Sequence, residues 1–247
     1  MRAFVALATL LMAACASAPP LTLQQPVVLL GEVHDNAAQH ALRLAAFRAL
    51  LDGGARPALL MEQLDRDKQP AIDKLRAASP PPTADALIAA AGGPAWQWRF
   101  YRPFIELALQ RGLPIVAANV PREEARGVMR NGLAAAGFDA AVPPELLKTH
   151  SSDIEASHCG QLDAATAGRM ALAQVARDQF MARVLQQHAA RGVVLLAGNG
   201  HVRLDWGVGQ ILQALQVAGP EAGRPRQAGP GQGQRQGPGQ GQRQDPL

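Results

Sequence analysis

The feature that most constrains this chain is a unit that occurs four times: a short unbroken apolar run, a polar or glycine stop, then apolar residues at helical spacing. Pro26-Val-Val-Leu-Leu-Gly31 precedes Ala37–Leu51, where Leu42, Ala45, Ala46, Ala49 and Leu50 recur at helical intervals. Ala58–Met61 precedes a helix expected near Asp65–Ala77, Pro114–Ala118 one over about Arg122–Ala136, and Val193–Ala197 one near Val208–Val217. Apolar runs that do not alternate belong to strands buried on both sides, and strands separated by helices pair in parallel. Further helical stretches at Asp85–Ala91, Trp96–Arg111 and about Asp163–Ala190 have no strand of their own, so they are expected as insertions. The fold class predicted is α/β: a mostly parallel central sheet covered by helices on both faces, with an inserted helical cap.

The two ends of the chain lie outside this pattern. Arg2, the apolar run Ala3–Met12 and the small residues Ala13-Ala14 before Cys15 read as a secretory leader over residues 1–14, too short in its apolar part to span a bilayer. Leu11-Met12-Ala13-Ala14-Cys15 resembles a bacterial lipobox, which makes Cys15 the expected lipidation site and residues 15–25 a lipidated tether. Acyl chains on Cys15 are then the membrane anchor, since two or more chains hold stably. Ala16 after the cysteine, by resemblance to known sorting, implies an outer-membrane lipoprotein facing the periplasm. With Cys15 lipidated, Cys159 is the one remaining thiol, so no intramolecular disulfide is possible and Cys159 is either buried or free. At the other end Gly229–Gln236 and Gly237–Gln244 are the same eight letters, and 20 of the last 29 residues are Gly, Pro or Gln. Residues 219–247 are therefore expected as a disordered tail and residues 26–218 as one folded domain.

Charge then excludes a function class. The formal charge is +4, but Arg2 leaves with the leader and the tail sets four arginines against Glu221 and Asp245, so about +1 remains on the folded body. That is no basis for a nucleic-acid surface, and no nucleic-acid partner is expected. Mean hydropathy near zero with 48% hydrophobic and 18% charged residues excludes both a disordered chain and a polytopic membrane protein.

In an open α/β sheet ligands bind beyond the carboxyl ends of the strands. Four such ends here present Glu32 and His34, Glu62, Asn119, and His201 to one rim. Carboxylates and imidazoles so placed serve metal ligation or general acid–base work. Each also has a blander role: His34 and His201 as plain loop histidines, Glu62 as a structural ion-pair partner, Asn119 as a turn residue, and beside them Asp35 or Asn36 as a helix N-cap and Gly198 and Gly200 as turn residues. On the long helix Gln174, Arg177 and Asp178 share an arc with Met181 and Leu185, so they pair or face a site; Arg177 is a candidate to orient Glu32 or Glu62, and a solvated Arg-Asp face is the alternative. His158-Cys159 offers two soft ligands, too few to close a zinc site. His40, His150 and His188 have no context and are expected on the surface. HExxH, Walker and GxSxG motifs are absent, which disfavours zincins, phosphoryl transfer and serine catalysis.

GEVHDN, MEQ, WQWRFYRPF, ANVPRE, AQVARDQFMA and VVLLAGNGHVR, in that order and spacing over roughly residues 26–208, together resemble the ChaN-like haem-binding lipoproteins, grouped with Tiki, TraB and erythromycin-esterase proteins. The resemblance implies an α/β body on a lipid anchor in a Gram-negative envelope, binding haem for iron uptake and passing it to or from an envelope receptor or transporter. It also implies a tyrosine iron ligand assisted by a histidine, with haems stacked between two subunits and hence a homodimer when haem-bound. This chain has one tyrosine, Tyr101, between Arg99 and Arg102. Tyr101 is the candidate iron ligand, and Arg99 or Arg102 a candidate propionate clamp. Tyr101 also borders the apolar stripe Trp96, Phe100, Phe104, Ala108, which is an ordinary core pattern, and His34 or His201 could hold the iron instead. The cofactor-binding set on this reading is Tyr101, His34, His201, Glu32 and Arg177. A rival reading is an activated-water hydrolase, esterase or metal-dependent peptidase, using Glu32, His34, Glu62 and His201. A third is a non-catalytic envelope scaffold.

Overall fold

A computed structural model describes residues 27–217, with side chains to 212. The leader, Cys15, the tether and the tail lie outside the described residues. Four strands, β1 (Val27–Glu32), β2 (Ala58–Asp65), β3 (Ile115–Asn119) and β4 (Val193–Gly198), form one sheet in the order β1-β4-β2-β3 with every pairing parallel. The helices are α1 (Ala37–Asp52), α2 (Gln69–Arg76), α3 (Ala84–Ala91), α4 (Trp98–Gln110), α5 (Arg122–Asn131), α6 (Pro144–Ser157), α7 (Ala164–His188) and α8 (Gly207–Val217). Among the described residues no helix is long and apolar enough to cross a membrane.

Alternate residues of each strand serve opposite faces, as the two-residue period of a strand requires. Val28, Leu30, Leu59, Met61, Ile115, Val194 and Leu196 pack with Phe47 and Leu51 of α1, Ile72 of α2, Leu87 of α3 and Phe104 and Ile105 of α4. Leu60, Val116, Val193, Leu195 and Ala197 face the other way, onto Met181, Ala182 and Leu185 of α7 and Val208 of α8. The result is the three-layer α/β body expected, since a sheet buried on both sides must carry helices on both. The first half of α7 leaves the sheet and packs on α5 and α6 through Val128, Phe138, Ile154, Ala171 and Val175. This helical cluster walls the space beyond the strands' carboxyl ends.

Several boundaries differ from expectation for identifiable reasons. β2 runs past Met61 to Asp65, and its register with β3 shifts between those residues: Met61 pairs with Ala117, but Asp65 pairs with Asn119. The polar Glu62-Gln63 pair that ends the apolar run is thus a bulge within the strand, and a bulge re-aims a side chain. The helix expected from Asp65 begins instead as a 3₁₀ turn at Arg66–Lys68 and becomes α-helical at Gln69. α5 stops at Asn131 because Gly132, with φ +83°, turns the chain out of the helix. α6 was not expected at all, although Pro144 and Glu145 in its first turn are helix-start signals. One edge of the sheet is blunted by a side chain: the Gln69 amide donates to Ile115 O at 3.2 Å and accepts from Ala117 N at 2.7 Å, so part of β3's outer edge is already paired.

Candidate functional site

The strand ends open into a cleft of about 940 Å³, lined by Glu32, His34, Glu62, Asn119, Arg177 and His201 among others. That volume is in the range of small-molecule sites. The sheet brings together every rim residue the sequence singled out, because Glu32 on β1 stands in register with Gly198 on β4, its neighbour.

Glu32 is the centre of the first group. Its side chain is buried, and Oε1 accepts from His34 Nδ1 at 2.6 Å and from the Tyr101 hydroxyl at 3.0 Å. A carboxylate only accepts, so Nδ1 of His34 carries the proton and Nε2 is left free. The His34 side chain is 53% exposed and meets Trp96 edge-on with ring centres 4.8 Å apart. The hydrogen bond to Glu32 holds the His34 pKa above its ordinary value.

A second group joins β2, β4 and α7. Glu62 accepts from the Gly198 amide at 2.7 Å and lies 3.5 Å from His201 Nε2, while His201 Nδ1 donates to Asp178 at 2.6 Å. Burial alone would neutralise both partners. Burial is the largest influence on each, but the charge and hydrogen bond of His201, the Gly198 amide and His34 together hold the Glu62 carboxyl down at about 2, and the charges and hydrogen bonds of Glu62 and Asp178 together hold the His201 imidazole up at about 10. His201 is thus a buried imidazolium between two carboxylates, not a free base. Asp178 was visible in the sequence as a polar residue on an apolar helix face, and pairing with His201 is what makes its burial tolerable.

The expected partner of the strand-end carboxylates was Arg177, and the structure corrects that. Glu32 and Glu62 are oriented by Tyr101, His34, Gly198 and His201, whereas Arg177 lines the cleft with its Nε buried and without a hydrogen-bond partner among the described residues. His40 and His150, expected on the surface, are buried at 3% and 7% exposure. His40 stacks on Phe100 and donates to His34 O at 3.3 Å; His150 stacks on Trp206 beside Asp178. Helical phase could have found both, since His40 is in step with Phe47 and Leu51, and His150 with Ile154. His188 is half-buried. Asn36 is the α1 N-cap, accepting from Gln39 N at 3.0 Å. Asn119 accepts from the Val120 amide and also lines the cleft. His158 and Cys159 are exposed at the end of α6, directly after the cleft-lining Ser157 but not themselves in the lining, and Cys159 is a free thiol. Arg122, Asp65 and Asp153 line the cleft without having been picked from the sequence, where nothing separates them from surface residues, and Trp96, read there as part of an apolar core stripe, lines it too.

Residues 22–212 match the family described as "Haem-binding uptake, Tiki superfamily, ChaN". The chain belongs to that family. It is also similar to a solved structure described as "Cofacial heme binding to ChaN of Campylobacter jejuni", with a TM-score of 0.67 and 24% identity over 78% of this chain and 77% of that one, a likeness of fold. No curated protein matches the chain.

Against that ChaN-family background the one tyrosine is placed unexpectedly. Tyr101 is fully buried on α4, between His40, Trp96 and Trp98, and is not part of the cleft lining. Burial, followed by the nearby Glu32 carboxylate, pushes its phenol pKa well above the usual value. An iron-binding phenolate needs the reverse: access, and cations that favour the anion. Arg99 and Arg102 do not supply them. Arg99 lies over Phe100 and binds Gln97, and Arg102 is tied to Asp85 and Glu106 on the outer face of α4. In this arrangement Tyr101 holds Glu32 in place, and Glu32 in turn holds His34.

Proposed function

We propose that this protein binds haem for uptake in the cleft beyond the strand ends, with His34 facing the iron. The observation that carries the reading is the Glu32–His34 pair. It stands in a chain of the haem-binding uptake family, and it leaves one imidazole nitrogen free, solvent-reachable and oriented by a carboxylate. That is how proteins prepare a histidine for a metal, the second nitrogen fixing tautomer and basicity. Trp96 beside His34 offers an aromatic wall for a flat apolar ring. Haem is cargo here, so the protein's task is to hold and release it, and no chemical step is asked of the residues. The companion proposals are that Cys15 is lipidated and anchors the chain in the outer membrane facing the periplasm, that the haem-bound form is a homodimer, and that a receptor or transporter of the envelope exchanges haem with it.

The test is a haemin titration of the chain Ala16–Leu247, read in the Soret region, with His34→Ala and Tyr101→Phe alongside. Saturable binding that His34→Ala weakens and Tyr101→Phe leaves spectrally unchanged is expected. Wild-type protein that binds no haemin refutes the reading. For the anchor, Cys15→Ala is expected to leave an unanchored or unprocessed precursor; its recovery with membranes like the parent would reject lipidation.

One observation favours a second reading. A half-exposed histidine paired to a buried carboxylate is also a general base for activating water. Turnover of an ester or peptide by the haem-free protein, lost in His34→Ala, would favour hydrolysis over haem carriage.

A further inference from the structure

One wall of the cleft is carried by a single helix. α6 supplies His150, Asp153, Ile154 and Ser157 to the lining. Its apolar contact with α7 sets Ile154 and the half-buried Leu147 on the small side chains of Ala167 and Ala171. Residues 138–143 before it have no regular structure, and the turn after it bends through two left-handed residues, Cys159 (φ +54°) and Gly160 (φ +70°). Both attachments lie off the sheet, so α6 can shift without disturbing the strands.

The polar hold on this wall is a buried histidine. His150 is 7% exposed, stacks on Trp206 with ring centres 5.3 Å apart, and has Nε2 at 3.9 Å from Asp178 Oδ2, beyond hydrogen-bond reach. Both atoms are buried without a hydrogen-bond partner among the described residues. Asp178 gives its other oxygen to His201 at 2.6 Å. Facing His150 are Asp178 and Arg177 of α7, Asp153 of α6 itself and His201 after β4. Arg203, over the Trp206 ring, is paired with Asp205, and Glu62 of β2 with His201. Asp178, the one carboxylate within 4 Å of the His150 ring nitrogens among the described residues, thus already balances an imidazolium. A proton on His150 would place a second buried cation beside it without an acceptor. Burial, the largest influence, lowers the His150 pKa; Asp178 raises it, His201 lowers it and Asp153 raises it, which leaves it below the ordinary value of 6.5.

We propose that His150 is an acid-operated latch, which in its neutral form holds α6 against α7 and the turn after β4, and when protonated frees that wall of the cleft. Water is the acceptor the added charge needs, and His150 reaches it only if α6 swings away from Asp178 and Trp206. By linkage, the open form, with an ordinary imidazole, binds the proton more tightly than the closed one. Closure is therefore strongest above about 6.5 and weakens as pH falls toward the lowered pKa. The neighbouring Glu62–His201 pair does not share this window, because its contribution is constant between about 4.5 and 6.5. The latch governs access to the cleft whatever the cleft holds.

Hydrogen exchange of Ala16–Leu247, resolved by peptide and divided by the intrinsic rate at each pH, reads the opening of α6 directly. From about pH 7.5 to about pH 5 the protection of α6 amides is expected to fall more than that of β2 and β4, by up to about tenfold per pH unit below 6.5, the limit for one proton. His40 and His188 also have lowered pKa values, but they sit on α1 and at the end of α7, and what they do to the whole fold is registered by the strands. His150→Phe keeps a ring on Trp206 and cannot take a proton. Its α6 protection is expected to match wild type near neutral pH and to stay level with the strands in acid. An equal acid loss of α6 protection in wild type and His150→Phe overturns the latch, as does wild-type α6 that follows the strands throughout. Should His150→Phe fail to fold by circular dichroism, an NMR titration of His150 in the wild type decides. A pKa below 6.5 that matches the midpoint of α6 exchange supports the latch, and any other result overturns it.

Discussion

Replacing Tyr101 with Phe separates a supporting tyrosine from a ligating one with a change of a single oxygen. The ring keeps its packing against His40, Trp96 and Trp98, so no cavity opens. What disappears is the 3.0 Å hydrogen bond to Glu32, a buried carboxylate whose Oε2 already has no hydrogen-bond partner. Hydrogen bonds to charged groups contribute about 1.5–3 kcal/mol. For a domain of this size about 1 kcal/mol shifts the melting midpoint by about 2–4 °C, so a fall of about 3–12 °C is expected. The haemin complex of the variant should keep the wild-type position of its Soret and long-wavelength bands, with at most a modest loss of affinity as Glu32 and His34 loosen. Thermal unfolding followed by circular dichroism gives the first quantity and a haemin titration the second. A tyrosinate charge-transfer band present in wild type and abolished in Tyr101→Phe, with His34→Ala unaltered, would refute the reasoning: the phenol would have to leave the core on binding, and its burial would say nothing about its role.

The buried Glu62–His201–Asp178 group sets a pH optimum. The raised His201 pKa contributes stability that is complete below its ordinary value of 6.5 and lost as pH rises toward about 10, while the lowered Glu62 pKa contributes stability complete above its ordinary value near 4.5 and lost as pH falls toward about 2. The stability difference between wild type and His201→Gln, measured by denaturant titration across pH, should therefore be largest between about 4.5 and 6.5 and shrink on both sides; a difference flat from pH 5 to 10 contradicts the imidazolium assignment. If His34 Nε2 meets the iron, protons compete for it, so haemin affinity should rise with pH through the raised His34 pKa and the dependence should vanish in His34→Ala. Gly207→Ala should destabilise by about 1–3 kcal/mol, because φ there is +70° and an added Cβ would stand 2.6 Å from His201 O; an unchanged melting midpoint would show that the turn carrying His201 is more compliant than drawn.

Sequence alone determined the layers and the rim. Apolar runs without alternation can only be satisfied between two helical layers, and parallel strands joined by helices put their carboxyl ends on one side, so Glu32, His34, Glu62, Asn119 and His201 were bound to converge. Which of them would touch was a matter of strand order and bulges, set by contacts between residues far apart in the chain. Gly198 is 136 positions from Glu62, yet the β2 bulge and the β4 turn place its amide on that carboxylate. Tyr101 shows the same limit: arginines stand two positions before and one after it in the chain, which would favour a phenolate, while its spatial neighbours are Glu32 and three aromatic or imidazole rings, which oppose one. A helix turns successive residues by about 100°, so the two arginines beside Tyr101 in the chain point away from what it faces. Only the packing of α4 against α1 and α3 decided that Tyr101 is buried with its hydroxyl on Glu32, and only the fold decided that the arginines lining the cleft come from α5 and α7.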